Sequence, residues 1–353
     1  MAGDQVTANL FIGVDSGGTR TNVGLTRKAE RFEDAEVTYE VDEALSGALD
    51  PSLYAAILRG ILHPLEAYWE DLATDDAVDC YVFVSAAAYT VHVRDDLIEA
   101  IHEVCPSLIG GQIRSVGIAN DAVALLLGLE ADGVIIAGTG SNVLVRSPEG
   151  QLYQVGGHEW VACDYGSAFW IGLRAIRQAY RDFEAGDDTV LLNRLREQYG
   201  IRSHDEKQLV AHLRDLAIAD SKMKREIARF AASVCAAASR GDHAAQNIVK
   251  AEAEDLADVT AGALRRRYSQ SDLADGLTLV QCGSVLANDF YRASFEAQLD
   301  MRLRSDVANR ADFRWHRVTT GVDASLNIAR QLPGDIESLL DHDRPFRPSV
   351  VHL

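Results

Sequence analysis

Apolar residues fall in short runs along this chain, and several of those runs end abruptly in glycine. Leu10-Phe11-Ile12-Gly13-Val14 runs into Asp15-Ser16-Gly17-Gly18-Thr19, after which Thr21-Asn22-Val23-Gly24-Leu25-Thr26 resumes an extended pattern. That order predicts two antiparallel strands with Asp15 to Thr19 as the hairpin tip. Val134-Ile135-Ile136-Ala137 likewise empties into Gly138-Thr139-Gly140-Ser141, and Ser141 to Arg146 returns as a strand closed by Ser147-Pro148-Glu149-Gly150. One strand–glycine turn–strand unit thus occurs twice, which predicts an internal duplication. A third glycine turn, Cys282-Gly283-Ser284, follows the apolar strand Leu277 to Val280.

Between these units the pattern alternates. A helix over 50–73 opens on Asp50-Pro51, a strand covers 80–86, and a helix covers 93–104. A short strand at 117–119 ends at Asn120-Asp121 before a helix over 122–129. Asp121 therefore stands at a strand-to-helix junction, where α/β proteins display reactive groups. Residues 168–268 read as mainly helical, followed by a helix over 287–300, a strand over 313–318 and a helix over 323–331.

A buried strand that ends in Gly-Thr-Gly-Ser brings backbone N–H groups and hydroxyls close to an anion, most often a phosphate. The first turn lacks the Gly-Lys-Ser/Thr and the following helix of a Walker A loop, and it is not a Rossmann turn. Two such turns, each near a carboxylate, predict a nucleotide held between two domains. No Pro- or Ser-rich linker separates the halves, so a close junction with a cleft is expected.

Composition narrows the partners. With 353 residues the chain has room for two cores. A net charge of −19 argues against nucleic acid as a partner. No apolar run reaches the length of a membrane span and the N-terminus lacks signal-peptide character, so a cytoplasmic protein is expected. The five scattered cysteines show no CxxC pair and read as buried thiols.

The residues VDSGGTRTNVGLT, the block from Asn120 to Arg174 and CGSVLAND resemble the acetate-kinase/sugar-kinase/Hsp70/actin superfamily. Within it they are similar to the BadF/BadG/BcrA/BcrD-type ATPase family, N-acetylglucosamine kinase branch. The resemblance implies a two-domain actin-like (ribonuclease H-like) α/β fold with duplicated mixed sheets. It places the N-terminal domain at 1–121, completed by a C-terminal helix near 332–353, and the second domain at 122–331 with a helical insertion at 168–268. It implies an ATP- and Mg²⁺-dependent sugar kinase, commonly a homodimer, whose acceptor is an amino sugar. By the same resemblance Asp15 would meet Mg²⁺ and Asp121 would be the catalytic base. Gly17, Gly18, Thr19 and Arg20 would hold ATP phosphates from one side, and Gly138, Thr139, Gly140 and Ser141 from the other. Gly283 and Ser284 would flank the adenosine. Asn120, Asn142, Gly157, His158 and Asp164 would line the sugar beside Asp121.

The chain departs from the family pattern in its acceptor half. Arg20 replaces the usual Lys, and GGWG…GDEGS is rewritten as Gly156-Gly157-His158-Glu159 and Cys163-Asp164-Tyr165-Gly166-Ser167. Two rival activities stay open at this level: an ATPase that activates a radical dehydratase or reductase, and a nucleotide or sugar sensor without catalysis.

Overall fold

The computed structural model describes residues 8–18, 20–45, 51–65, 67, 78–87, 89, 93–108, 112–158, 160–202, 206–218, 223–304, 312–334 and 348–352. The chain divides into two compact units. One comprises Met1–Ala131, Glu149–Leu152 and Thr320–Leu353, the other Asp132–Pro148 and Tyr153–Thr319.

In the first unit β1 (Ala8–Ser16) and β2 (Thr21–Thr26) form an antiparallel hairpin that pairs Asp15 with Asn22. Asp15 is thus part of β1 rather than of the tip. With β3 (Val37–Val41), β4 (Val78–Ala86), β5 (Gln112–Ala119) and β11 (Ser349–His352) they build a mixed sheet in the order β11-β5-β4-β1-β2-β3. β4 runs parallel to both β1 and β5. The second unit holds β6 (Gly133–Ala137), β7 (Ser141–Arg146), β8 (Leu152–Gly156), β9 (Leu277–Cys282) and β10 (Phe313–Val318), ordered β10-β9-β6-β7-β8. The order β5-β4-β1-β2-β3 therefore recurs as β10-β9-β6-β7-β8, an antiparallel hairpin followed by parallel neighbours in each case. The duplication expected from the paired glycine turns is present. β3 and β8 escape the apolar pattern because neither is an apolar run; β3 buries only alternate residues, in part.

The long helical stretch is also present, as helices Ala168–Ala185, Val190–Tyr199, Glu206–Ala217, Met223–Ser239 and His243–Arg267. Local chemistry sets their ends. Ser167, Thr189 and Asp242 cap the backbone N–H groups that start a helix, and Gly186 and Gly200 take the left-handed conformation that closes one. Gly172 lets the 168–185 helix lie against the backbone of Ile227, since a Cβ there would stand 2.1 Å from the Ile227 carbonyl.

In the first unit Leu10, Ile12 and Val14 of β1 face a core completed by helices Tyr54–Leu62 and Arg94–Leu108. The opposite face of β1 receives helix Val322–Ala329. Gly13 makes this approach possible, because a Cβ would lie 2.6 Å from the Leu326 nitrogen. Gly13→Ala must push the helix away, and a loss of about 1–3 kcal/mol in urea unfolding is expected.

Two boundary expectations need correction. The first unit extends to Ala131 instead of ending at 121, and it takes in residues from Thr320 instead of 332. The cause is helix Asp121–Gly128, which packs on helix Val322–Ala329. Gly128 lies against the Ala324 backbone, and Asn327 donates its Nδ2 hydrogen to the Gly128 carbonyl at 3.1 Å. The last described segment is β11, antiparallel to β5; most of the expected helix near 332–353 lies outside the described residues. Residues 335–347, and the part of the expected 50–73 helix beyond residue 67, lie outside the described residues. Among the described residues no helix is long and apolar enough to cross a membrane.

Candidate active site

The first unit brings two carboxylates together. Asp15, near the end of β1, accepts hydrogen bonds from the Gly321 N–H at 2.7 Å and from the Ser85 hydroxyl at 3.3 Å. Gly321 sits where it does because the helix it precedes is docked on Gly13. Asp121 occupies the first position of its helix. The preceding residue, Asn120, is the cap: extended at φ −62° and ψ 148°, it accepts from the Ala122 N–H at 3.1 Å. Asp121 accepts from the same N–H at 2.8 Å and is not needed to cap the helix. Burial, and then the charge of Asp15, push its carboxyl up to about 6. Burial raises Asp15 as well, against its two hydrogen bonds.

The hairpin tip is tied down by its own backbone. Gly17 donates to the Arg20 carbonyl at 3.0 Å, and the Thr21 hydroxyl, 3.0 Å from Ser16 Oγ, donates to the Glu43 carbonyl at 2.7 Å. Gly17 is partly buried and Gly18 exposed; Thr19 lies outside the described residues. Arg20 is not directed at this turn. Its guanidinium lies along β3, 2.9 Å from Glu40 and 3.3 Å from Asp42, because β2 pairs with β3 and sets those carboxylates within its reach.

The second unit builds its turn more tightly. Gly138 donates to the Gly140 carbonyl at 2.9 Å, and the first N–H groups of the 168–185 helix close on the carbonyls of Gly138 (2.8 Å) and Thr139 (3.3 Å). That helix start is consumed in holding the turn. Gly283, at φ 107°, presses on the end of β6, where Val285 donates to the Ala137 carbonyl at 3.0 Å; Ser284 is exposed.

Of the acceptor candidates, Asn142 is buried and its Oδ1 has no partner among the described residues. A buried acceptor without a donor is costly unless a ligand supplies one. Gly157, at φ 70°, donates to the Ser141 carbonyl at 3.0 Å and leaves no room for a Cβ beside Gln154 and Asn142. His158 is exposed and Glu159 lies outside the described residues. Asp164 is turned inward instead. Its Oδ1 accepts from the Ser141 N–H at 3.0 Å and its Oδ2 pairs with Lys224 Nζ at 2.9 Å. Trp160 packs on Phe169, ring centroids 5.1 Å apart, and so belongs to the core.

Ser85, Gly321 and Lys224 were not singled out from sequence. Gly321 ahead of an apolar helix, and a Lys in a chain with few lysines, were the available signals.

None of the five cysteines is in a disulfide, and Cys80, Cys105, Cys235 and Cys282 are buried. Burial pushes Cys80 and Cys105 up to about 12 and Cys235 to about 11, which leaves little thiolate near neutrality.

The model of the BadF/BadG/BcrA/BcrD ATPase family matches residues 12–309. The chain belongs to this family. Among curated relatives, N-acetylmuramic acid/N-acetylglucosamine kinase of Clostridium acetobutylicum is 32% identical over 160 residues, covering 42% of this chain and 50% of that protein. The match therefore spans half of that relative's length. Glucosamine kinase GspK of Vibrio cholerae is 28% identical over 262 residues, 70% of this chain and 78% of that protein. A solved structure from Porphyromonas gingivalis, provisionally named N-acetylglucosamine kinase, superposes with a TM-score of 0.65 at 16% identity, covering 92% of this chain and 100% of that one. At that identity the likeness concerns the fold, and it places this BadF/BadG/BcrA/BcrD family member among the actin-like folds.

Proposed function

We propose that this chain is an ATP-dependent kinase that transfers the γ-phosphoryl group of ATP to a hydroxyl of an amino sugar, N-acetylglucosamine or glucosamine. Asp121 carries the reading. It is freed from capping by Asn120, displayed at a helix start, and raised to about 6 by burial and by Asp15. Such a carboxylate is mostly ionised at neutral pH yet holds a proton better than an ordinary aspartate. A sensor needs no group of raised proton affinity.

In the reaction the acceptor oxygen forms a bond to the γ-phosphorus as the bond to the β–γ bridging oxygen breaks, and ADP leaves. Asp121 takes the hydroxyl proton. Positioning and charge neutralisation account for most of phosphoryl-transfer catalysis; in the second unit the hydroxyls of Thr139 and Ser141 are the donors for a phosphate, since the Gly138 and Ser141 N–H groups are already used. Asn142 Oδ1 is the acceptor for a sugar hydroxyl or amide N–H, with Gly157 against it in space and His158 next to Gly157 in sequence.

The donor set suits Mg²⁺. Asp15 is a hard oxygen ligand, and among the described residues it pairs with no Lys or Arg. Among those residues no group of three or more metal-ligating side chains gathers, so Asp15 would hold the ion largely through water. When bound, the ion supplies charge neutralisation on the phosphates. The same reading places the enzyme in the cytoplasm as a homodimer.

The test is a panel of hexoses and amino sugars scored by ADP release, with the product identified by ³¹P NMR. Turnover confined to amino sugars is expected. ADP release with neutral hexoses alone would sink the acceptor, and none with any sugar would sink the kinase.

A further inference from the structure

Asp164 is 2% exposed and sits in the left-handed conformation at φ 63°. Both of its oxygens are used within the second unit, one on the Ser141 N–H and the other on Lys224. Gly140 is fitted to it, since a Cβ there would stand 2.7 Å from Asp164 Oδ1. Lys224 lies in the first turn of helix Met223–Ser239. The helix dipole opposes a cation at that end. What holds it there is a buried carboxylate that would otherwise lack a counter-charge.

We propose that Lys224 and Asp164 are positioning residues for the turn Gly138–Ser141, and that their pairing sets nucleotide affinity through that turn. The inference rests on the kinase reading of that turn. Asp164 takes the Ser141 N–H and so orients Ser141, leaving the Ser141 hydroxyl as this residue's donor to phosphate. The negative charge it brings would repel a polyphosphate, and Lys224 cancels it. Neither residue touches the reacting atoms.

The charges can be separated by substitution. Lys224→Met leaves the carboxylate bare, and about tenfold weaker binding of AMPPNP with Mg²⁺ is expected by calorimetry. Lys224→Arg keeps the charge and should return affinity to within about threefold. Asp164→Asn keeps the acceptor oxygen and tolerates φ above zero. The double variant Lys224→Met/Asp164→Asn should therefore also recover most of the affinity, a result that mere loss of packing would not give. In steady-state kinetics Lys224→Met should raise KM for ATP with the sugar KM unchanged.

Hydrogen exchange at the Ser141 amide, measured without nucleotide, tests the pair independently of the kinase reading. Protection should persist in Asp164→Asn and fall in Asp164→Gly. If Asp164→Asn raises the sugar KM and leaves ATP affinity alone, or if Ser141 exchanges equally fast in wild type and Asp164→Gly, the proposal is overturned. A wild-type chain that binds no AMPPNP while Ser141 behaves as expected would overturn the kinase reading and leave the positioning of the turn standing.

Discussion

Asp121→Asn is expected to lower kcat by about 10²–10⁴-fold, the usual contribution of a general base, and at the same time to stabilise the protein above pH 6. Both effects come from the same placement. Burial and the charge of Asp15 raise the carboxyl from 3.8 to about 6, so the folded chain binds this proton more tightly than the unfolded chain does. The favourable contribution of the protonated form is complete below about pH 4 and is lost as pH rises through the folded value near 6. At pH 8 the ionised carboxylate costs on the order of 3 kcal/mol, which an amide avoids. Asn can still accept the Ala122 N–H that Asp121 accepts at 2.8 Å, so the helix start is preserved. Scanning calorimetry should show a higher Tm for the variant at pH 8 and no difference near pH 4. In the wild type kcat/KM should rise with pH and level off above about 6. An Asp121→Asn protein that releases ADP at the wild-type rate, or one less stable than wild type at pH 8, would contradict the assignment.

Gly283→Ala should remove most nucleotide affinity and about 3 kcal/mol of stability. At φ 107° an L side chain is strained whatever the space around it, and here there is none. The added Cβ would stand 2.4 Å from the Ala137 oxygen and 2.7 Å from its carbonyl carbon, both backbone atoms at the end of β6. Relief requires β6 to move where it enters the turn Gly138–Ser141. Gly138→Ala is the matching control, because nothing lies within 4 Å of a Cβ built there. It should unfold within about 0.5 kcal/mol of wild type. A drop in AMPPNP affinity in Gly138→Ala then reports the ligand's approach to the turn, whereas the drop in Gly283→Ala reports the turn's shape. Equal urea midpoints for the two variants would refute this account of Gly283.

The glycine turns could be read from the chain because a buried strand that runs into glycine is a local signal. β1 with β2, and β6 with β7, follow from apolar runs and turn residues a few positions apart. The helix boundaries at Ser167 and Asp242 are local in the same sense. β3 and β8 were missed because these short edge strands interrupt their apolar residues with polar ones and form no continuous apolar run. Helix Val322–Ala329 was legible as a helix but not as part of the first unit. Its membership depends on Gly13 and Gly128 accepting its backbone at close range. Among site residues, Asp121 could be picked out by its strand-to-helix position. The direction of Arg20 could not, since Glu40 and Asp42 reach it only through the pairing of β2 with β3. The protein partners of Asp164, Ser141 and Lys224, lie on a neighbouring hairpin and a distant helix, which no local pattern could show.

The sequence by itself determined the devices: two strand–glycine turn–strand units, a carboxylate at a helix start, and a third turn at Gly283. These depend on backbone freedom and on side-chain period, which act over a few residues. The tertiary structure decided how the devices are charged and aimed. It set Asp15 close enough to Asp121 to raise its proton affinity, turned Arg20 onto β3, and neutralised Asp164 with Lys224. Electrostatic interaction and burial depend on distance in space, and the groups concerned are brought together only by packing between remote segments.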